Sequence, residues 1–178
     1  MRITISGPPG SGKTTACKKL SEVLGLKAVV FGEFFRQLAK ERGMTLAEFG
    51  ELAEKDPSID RTIDGMILDI ARENSDIILE SRLAAHMLTQ NHIPAFRVYL
   101  EASLMVRINR VGIRDGESYG EVYSHTLERQ SSEAKRYKMY YDIDIEDISV
   151  YDLIVNTDDL DPDQVVETIL KGIEEGTC

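Results

Sequence analysis

Residues 7–14 read Gly-Pro-Pro-Gly-Ser-Gly-Lys-Thr and directly follow an apolar run, Arg-Ile-Thr-Ile-Ser, at residues 2–6. The stretch satisfies the pattern G-x-x-x-x-G-K-[ST]. Because glycine has no Cβ, successive backbone N–H groups in such a stretch can turn inward around phosphate oxygens. The pattern therefore predicts a phosphate-binding loop between a first strand and a first helix.

This loop supplies several groups for a nucleoside triphosphate. Lys13 is expected to reach the outer phosphates as a point charge, and Thr14 to offer its hydroxyl to Mg²⁺. The helix that starts here adds its positive N-terminal end. The residues predicted to bind the triphosphate are Gly7, Pro8, Pro9, Gly10, Ser11, Gly12, Lys13, Thr14 and Thr15.

The composition is acidic. The 178 residues carry a formal net charge of −10, which disfavours nucleic acid and anionic membranes as partners, so phosphate chemistry must use arginines gathered in a pocket. No apolar run reaches membrane-spanning length, and the two cysteines, Cys17 and Cys178, form no disulfide framework. We expect a single-domain, cytoplasmic monomer.

Short apolar runs alternate with helical patterns, which is typical of βαβ units and of an α/β fold with a parallel sheet. Three successive helical patterns interrupt this alternation after the second strand and predict a helical insertion, where a second ligand could enter. A capping box at residues 45–48, Pro57 after Asp56, and a capping box at residues 118–121 mark helix starts. The predicted strands occupy residues 2–6, 27–31, 76–80, 96–100 and 151–156.

Charged side chains follow the second and third predicted strands. Arg36 lies one turn into the helix after strand two, and Arg82 follows strand three. Ligands collect at the carboxyl ends of parallel strands, so the two arginines could hold one doubly charged phosphate. Arg36 could also be an ordinary exposed helix residue. Glu80, at the end of strand three, is expected near Mg²⁺ and its waters.

Two further groups of charged residues lie on predicted helices. Arg107, Arg110 and Arg114 form one stripe, which is either a solvated basic face or the start of a mobile lid that closes on the transferring phosphoryl group. Arg129, Glu133 and Arg136 also share a face, as an ordinary surface pair or as fork donors and an acceptor for a nucleobase and its phosphate. The histidines show no metal-ligand spacing.

The charged residues bear on the kind of acceptor. Phosphoryl transfer needs mainly alignment and charge neutralisation. A phosphate acceptor is already ionised at neutral pH and needs no base, which suits a site rich in arginine. A small alcohol acceptor would need a base, for which Glu33 is the only candidate we identify. A nucleotide-binding module without catalysis is the other alternative.

Four segments of the chain resemble the archaeal-type cytidylate kinases, which are nucleoside monophosphate kinases of the P-loop kinase class. They are residues 7–15, Gly-Glu-Phe-Phe-Arg at 32–36, Glu-Ser-Arg at 80–82, and Glu-Arg followed by Glu and Arg within 128–136. The likeness extends over nearly the whole chain. Ser81 departs from the pattern, which has glycine at this position.

The resemblance implies transfer of the γ-phosphate of ATP to CMP or dCMP with Mg²⁺, and a parallel sheet in the order 2-3-1-4-5. UMP or AMP remains an alternative acceptor. On this basis we expect the catalytic residues to be Lys13, Arg110, Arg114 and Arg129. The residues expected to bind the acceptor are Arg36, Arg82, Arg129, Glu133 and Arg136.

We expect three functional parts within one domain. The core is expected at residues 1–31, 76–113 and 141–178. The acceptor-binding helical insertion is expected at about 32–75, and the lid at about 110–128, with Arg110 and Arg114 on its side of the cleft.

Overall fold

The structure is a computed structural model that describes residues 1–116 and 118–176, with the side chains of Arg114 and Asp115 left aside. Cys178 therefore lies outside the described residues. Five strands form one sheet, and every pair of neighbours is parallel. The order β2-β3-β1-β4-β5 confirms the predicted α/β topology. The strands are β1 (Arg2–Ser6), β2 (Lys27–Val30), β3 (Ile77–Glu80), β4 (Phe96–Glu101) and β5 (Leu153–Asn156).

Helices connect the strands and cover both faces of the sheet. Three of them follow one another between β2 and β3, as the sequence predicts. The α-helices are α1 (Lys13–Leu24), α2 (Phe31–Glu41), α3 (Leu46–Lys55), α4 (Pro57–Glu73), α5 (Ala84–Gln90), α6 (Leu104–Asp115), α7 (Tyr119–Tyr141) and α8 (Pro162–Gly176), and a short 3₁₀ helix covers Ile148–Val150.

The core consists of two apolar layers separated by the sheet. Ile3 and Ile5 of β1 are fully buried and face the layer built with α1 and α8. Ile77 and Leu79 of β3 face the other layer, with α4 and α5. A smaller cluster around Phe49 joins α2, α3 and α4. The carboxyl ends of β1 and β3 are thereby held side by side.

The predicted helix starts are confirmed, and some element boundaries differ. Thr45 and Ser118 each form a complete capping box, and Asp56 caps α4 ahead of its first-turn proline. The prediction placed Phe31 in β2, but it begins α2, and its side chain is buried in the second core layer. Within the described ranges no helix is both long and apolar enough to cross a membrane.

Candidate active site

A single cleft of about 1640 Å³ brings the predicted site residues together. It begins at the loop after β1, passes the end of β3, and is walled by α2, α3, α4 and α7. Gly7 and Pro8 of the loop lie outside its lining. The lining includes Pro9 to Thr15 and, beyond the loop, Arg36, Glu80, Arg82, Arg110, Arg129, Glu133 and Arg136.

Two glycines set the path of the loop. Gly7 has φ +148°, and a Cβ on it would lie 2.2 Å from the carbonyl oxygen of Leu100 at the end of β4. Gly10 has φ +83°, and a Cβ there would lie 2.7 Å from the carbonyl oxygen of Arg107. Glycine is therefore required at both positions because the loop packs directly against the backbone of β4 and α6.

The side chains of Lys13 and Thr14 already have hydrogen-bond partners in the protein. Lys13 Nζ donates to the carbonyl oxygen of Pro8 at 2.9 Å. Burial lowers the pKa of Lys13 to about 8, although the carboxylate of Glu80 acts in the opposite direction. Thr14 Oγ1 donates to Glu80 Oε2 at 2.9 Å. The hydroxyl and the carboxylate that the sequence assigns to Mg²⁺ thus lie in direct contact.

Glu133 is at the centre of the guanidinium groups. Its side chain is buried, and Arg129 Nε donates to its Oε1 at 2.9 Å. Burial raises the pKa of Glu133, but the positive charges of Arg129, Arg82 and Arg136 outweigh burial and hold this pKa at about 2. Glu133 therefore stays ionised and keeps the arginines close to one another.

Arg82 retains an unused donor. Its Nε lies 2.9 Å from Glu133 Oε2, yet the N–H is not directed at that oxygen. Both buried atoms therefore lack a hydrogen-bond partner among the described residues. A buried donor without an acceptor is costly.

A second buried ion pair joins α7 to α4. Arg136 Nε donates to Asp60 Oδ2 at 2.7 Å, and Arg136 Nη1 donates to Ser132 Oγ at 2.6 Å. One turn along α4, Asp64 accepts a hydrogen bond from Tyr141 Oη at 2.9 Å. Neither Asp60 nor Asp64 is among the site residues expected from the sequence. The sequence feature that could have identified them is their spacing: the two acidic residues are four apart, on the side of the helix that also carries Ile63 and Ile67.

The remaining predicted arginines occupy different places. Arg36 is half-buried in the cleft wall. Arg110 donates to Thr157 Oγ1 at 2.9 Å and to the Thr157 carbonyl at 2.5 Å, and the Thr157 hydroxyl lies 3.2 Å from the Ser11 carbonyl oxygen. The side chain of Arg114 lies outside the described part of the chain.

The structure places Arg107 apart from the predicted basic stripe. The side chain is only 7% exposed, so it belongs neither to a solvated face nor to the cleft lining. The guanidinium group donates to the backbone carbonyls of Ala102 and Pro9. Spacing along a helix places Arg107 beside Arg110 but does not determine which side packs inward.

Ser81 lines the cleft, whereas Glu33 does not. Ser81 Oγ accepts a hydrogen bond from the Leu83 backbone N–H at 3.0 Å, so the hydroxyl stabilises its own turn. Glu33 is exposed, lies 3.5 Å from Lys18 Nζ, and does not line the cleft. In this geometry an alcohol in the cleft would not have Glu33 as its base.

Known proteins are similar to this chain over most of its length. The sequence model of the cytidylate kinase-like family matches residues 2–159. The chain belongs to this family. A cytidylate kinase of Methanosphaerula palustris is 52% identical to the present chain over 159 residues, which cover 89% of each protein. A cytidylate kinase of Haloarcula marismortui is 45% identical over 174 residues, covering 98% of this chain and 90% of the relative.

Solved structures support the fold of this cytidylate kinase-like protein. A shikimate kinase from Bacteroides thetaiotaomicron aligns with a TM-score of 0.63 at 19% identity, covering 98% of each chain. At this identity the likeness concerns the fold alone, which is that of P-loop kinases.

Proposed function

We propose that the protein transfers the γ-phosphate of ATP to CMP or dCMP, giving ADP and CDP or dCDP. The observation that carries the proposal is the placement of Arg82, Arg129 and Glu133 in the same cleft as the phosphate-binding loop. A cation cluster opposite a triphosphate cradle suits a second phosphate. The membership of the family and the names of its relatives support the same reaction.

The arginines would align the acceptor without removing a proton from it. A phosphate monoester is largely dianionic at neutral pH, so its oxygen attacks without a general base. Arg36, Arg82 and Arg129 would hold this phosphate through charged hydrogen bonds. Lys13, Arg110, Arg114 and Arg129 would neutralise the charge that spreads over the transferring group.

Thr14 in α1 and Glu80 at the end of β3 fit a Mg²⁺ ion brought in with ATP. Mg²⁺ favours oxygen ligands and usually keeps several waters, so it needs few groups from the protein. The contact between Thr14 and Glu80 provides such oxygens, although no cluster of three or more His, Cys, Asp or Glu among the described residues could hold a metal. Thr14 would bind the ion directly and Glu80 through water; the ion would neutralise phosphate charge.

The cytosine base would occupy the part of the cleft between α4 and α7. Phe35, Ile63 and Tyr137 supply apolar walls, and Arg136 and Asp60 supply polar edges. A carboxylate accepts from the exocyclic amino group of cytosine and a guanidinium donates to its carbonyl oxygen. Uracil has a carbonyl where cytosine has the amino group, so this arrangement favours cytosine.

The test is an assay of ATP consumption with CMP, dCMP, UMP, AMP and a set of small alcohols. We expect turnover with CMP or dCMP to exceed all others. The Lys13→Ala variant is the matched control and should lose kcat by about a hundredfold or more while its far-UV CD spectrum is unchanged. Strong turnover with an alcohol and none with CMP would contradict the proposal, as would ATP binding without transfer to any acceptor.

A further inference from the structure

Arg107 is a buried arginine, and the hydrogen bonds that its guanidinium group makes to the described residues go to neutral oxygens. Its Nε donates to the Ala102 carbonyl at 3.1 Å, and its Nη1 lies 3.2 Å from the Pro9 carbonyl oxygen and 3.3 Å from Gln130 Oε1. These three contacts come from three separate parts of the chain: the residue before α6, the phosphate-binding loop, and α7.

Arg107 has no counter-charge among the side chains that the structure describes. None of the carboxylates in the described residues lies within ion-pair distance of its guanidinium group. Burial lowers the pKa of Arg107, and the positive charge of Arg82 lowers it further. Burying a cation without a neighbouring anion is costly, so a position that serves packing alone would favour an apolar side chain.

The loop is tied to this residue from two directions. The Pro9 carbonyl accepts from the side chain, and Gly10 packs against the backbone, where a Cβ would lie 2.7 Å from the Arg107 carbonyl oxygen. A carbonyl that faces away from the cradle leaves the neighbouring N–H groups free to face phosphate. The position of one guanidinium group therefore bears on the shape of the whole loop.

We propose that Arg107 is a positioning residue that holds the Pro9 carbonyl, and with it the phosphate-binding loop, in the conformation that receives the triphosphate. Through Gln130 it also ties the loop to α7 next to Arg129. Arg107 lies behind the loop and does not line the cleft, so it acts through the loop. This inference rests on the proposed function, because it assigns the loop to ATP.

Binding of MgATP in the absence of any acceptor tests the proposal. In Arg107→Met the apolar stem remains and the donors are lost, so the Kd for ATP, measured by titration calorimetry, should rise about tenfold or more. Arg107→Lys keeps the charge with a shorter reach and should recover part of this loss.

Arg97→Met provides the matched control for lost packing. Arg97 is half-buried and, like Arg107, donates to backbone carbonyls, those of Ala95 and Ile93, at the opposite end of β4 from the loop. This variant should lower Tm and leave the Kd for ATP within twofold of the wild type. A purely structural role for Arg107 predicts that both variants behave in this way.

The outcomes separate the inference from the proposed function. A folded Arg107→Met protein with wild-type affinity for ATP overturns the inference, as does an equal loss of affinity in Arg97→Met. If Arg107→Met does not fold, unchanged affinity in Arg107→Lys overturns it, and a weaker but measurable affinity supports it. A wild-type protein that binds ATP but does not phosphorylate CMP counts against the proposed function alone.

Discussion

At the scale of single residues, Asp64 has the least usual environment. The side chain is only 6% exposed, and it faces the nearby carboxylate of Asp60. Burial, helped by the charge of Asp60, raises its pKa to about 7 from an ordinary value near 4. The hydrogen bond from Tyr141 opposes this shift without cancelling it. Asp64 therefore holds its proton in the folded state over a pH range in which an unfolded chain has lost it.

This proton predicts how stability depends on pH. Between pH 4 and 7 the folded state binds more protons at Asp64 than the unfolded state does, so this residue's contribution to the free energy of unfolding falls as the pH rises. Asp64→Asn cannot ionise. The free energy of unfolding of this variant, relative to that of the wild type, should therefore be about 1–3 kcal/mol higher at pH 8 than at pH 5, measured by urea unfolding.

Asp69→Asn is the control for this experiment, because Asp69 is exposed on the same helix. It should show little change with pH relative to the wild type. An Asp64→Asn protein whose advantage is the same at pH 5 and pH 8 would show that Asp64 is already ionised at the lower pH.

At the scale of elements, the junction between the phosphate-binding loop and α6 decides which residues the loop tolerates. Gly10 and Gly25 both have positive φ, +83° and +65°. A Cβ on Gly10 would meet the backbone of Arg107, whereas a Cβ on Gly25 would meet nothing within 4 Å. Comparing alanine substitutions at these two glycines therefore separates the cost of the left-handed backbone from the cost of a steric clash.

Gly25→Ala should lower the free energy of unfolding by about 1 kcal/mol, the usual cost of this backbone conformation for alanine. Gly10→Ala carries the same cost and also pushes against α6, so we expect a further loss of about 1–3 kcal/mol. Thermal unfolding without nucleotide measures both. Equal losses in the two variants would show that the loop shifts away from α6 without cost.

The sequence predicts most elements because local signals mark them. Capping residues and apolar alternation define the starts of α3, α4 and α7 and the strands themselves. The sequence does not mark the bounds of helix α5, because Ala84 to Leu88 are all buried and leave no exposed polar face in this stretch. Phe31 is apolar like the strand before it, so only tertiary packing places it in α2.

For the site, the positions of Arg36 and Arg82 after strands two and three predict that both lie at the carboxyl end of the sheet. The strand order and the role of Arg129 are expected only from the family resemblance. The pairing of Arg136 with Asp60 joins residues far apart in the chain and depends on how α7 crosses α4. The burial of Arg107 likewise depends on which side of α6 meets the loop. Such contacts follow from packing, which periodicity does not specify.

At the scale of the whole molecule, an acidic chain gathers several arginines in one cleft. The formal net charge is −10, yet Arg82, Arg129 and Arg136 meet around one carboxylate beside the phosphate-binding loop. Low local polarity strengthens their attraction for a dianionic phosphate. The insertion at 32–75, the lid at 110–128, the monomeric state and the cytoplasmic location stay predictions.

A crystal structure of the protein with CMP and a non-hydrolysable ATP analogue tests the central claim most directly. We predict that the CMP phosphate lies within hydrogen-bond distance, about 3 Å, of the guanidinium groups of Arg36, Arg82 and Arg129, and faces the γ-phosphate of the analogue. A CMP phosphate bound elsewhere in the cleft, with these three side chains turned away from it, would contradict the account.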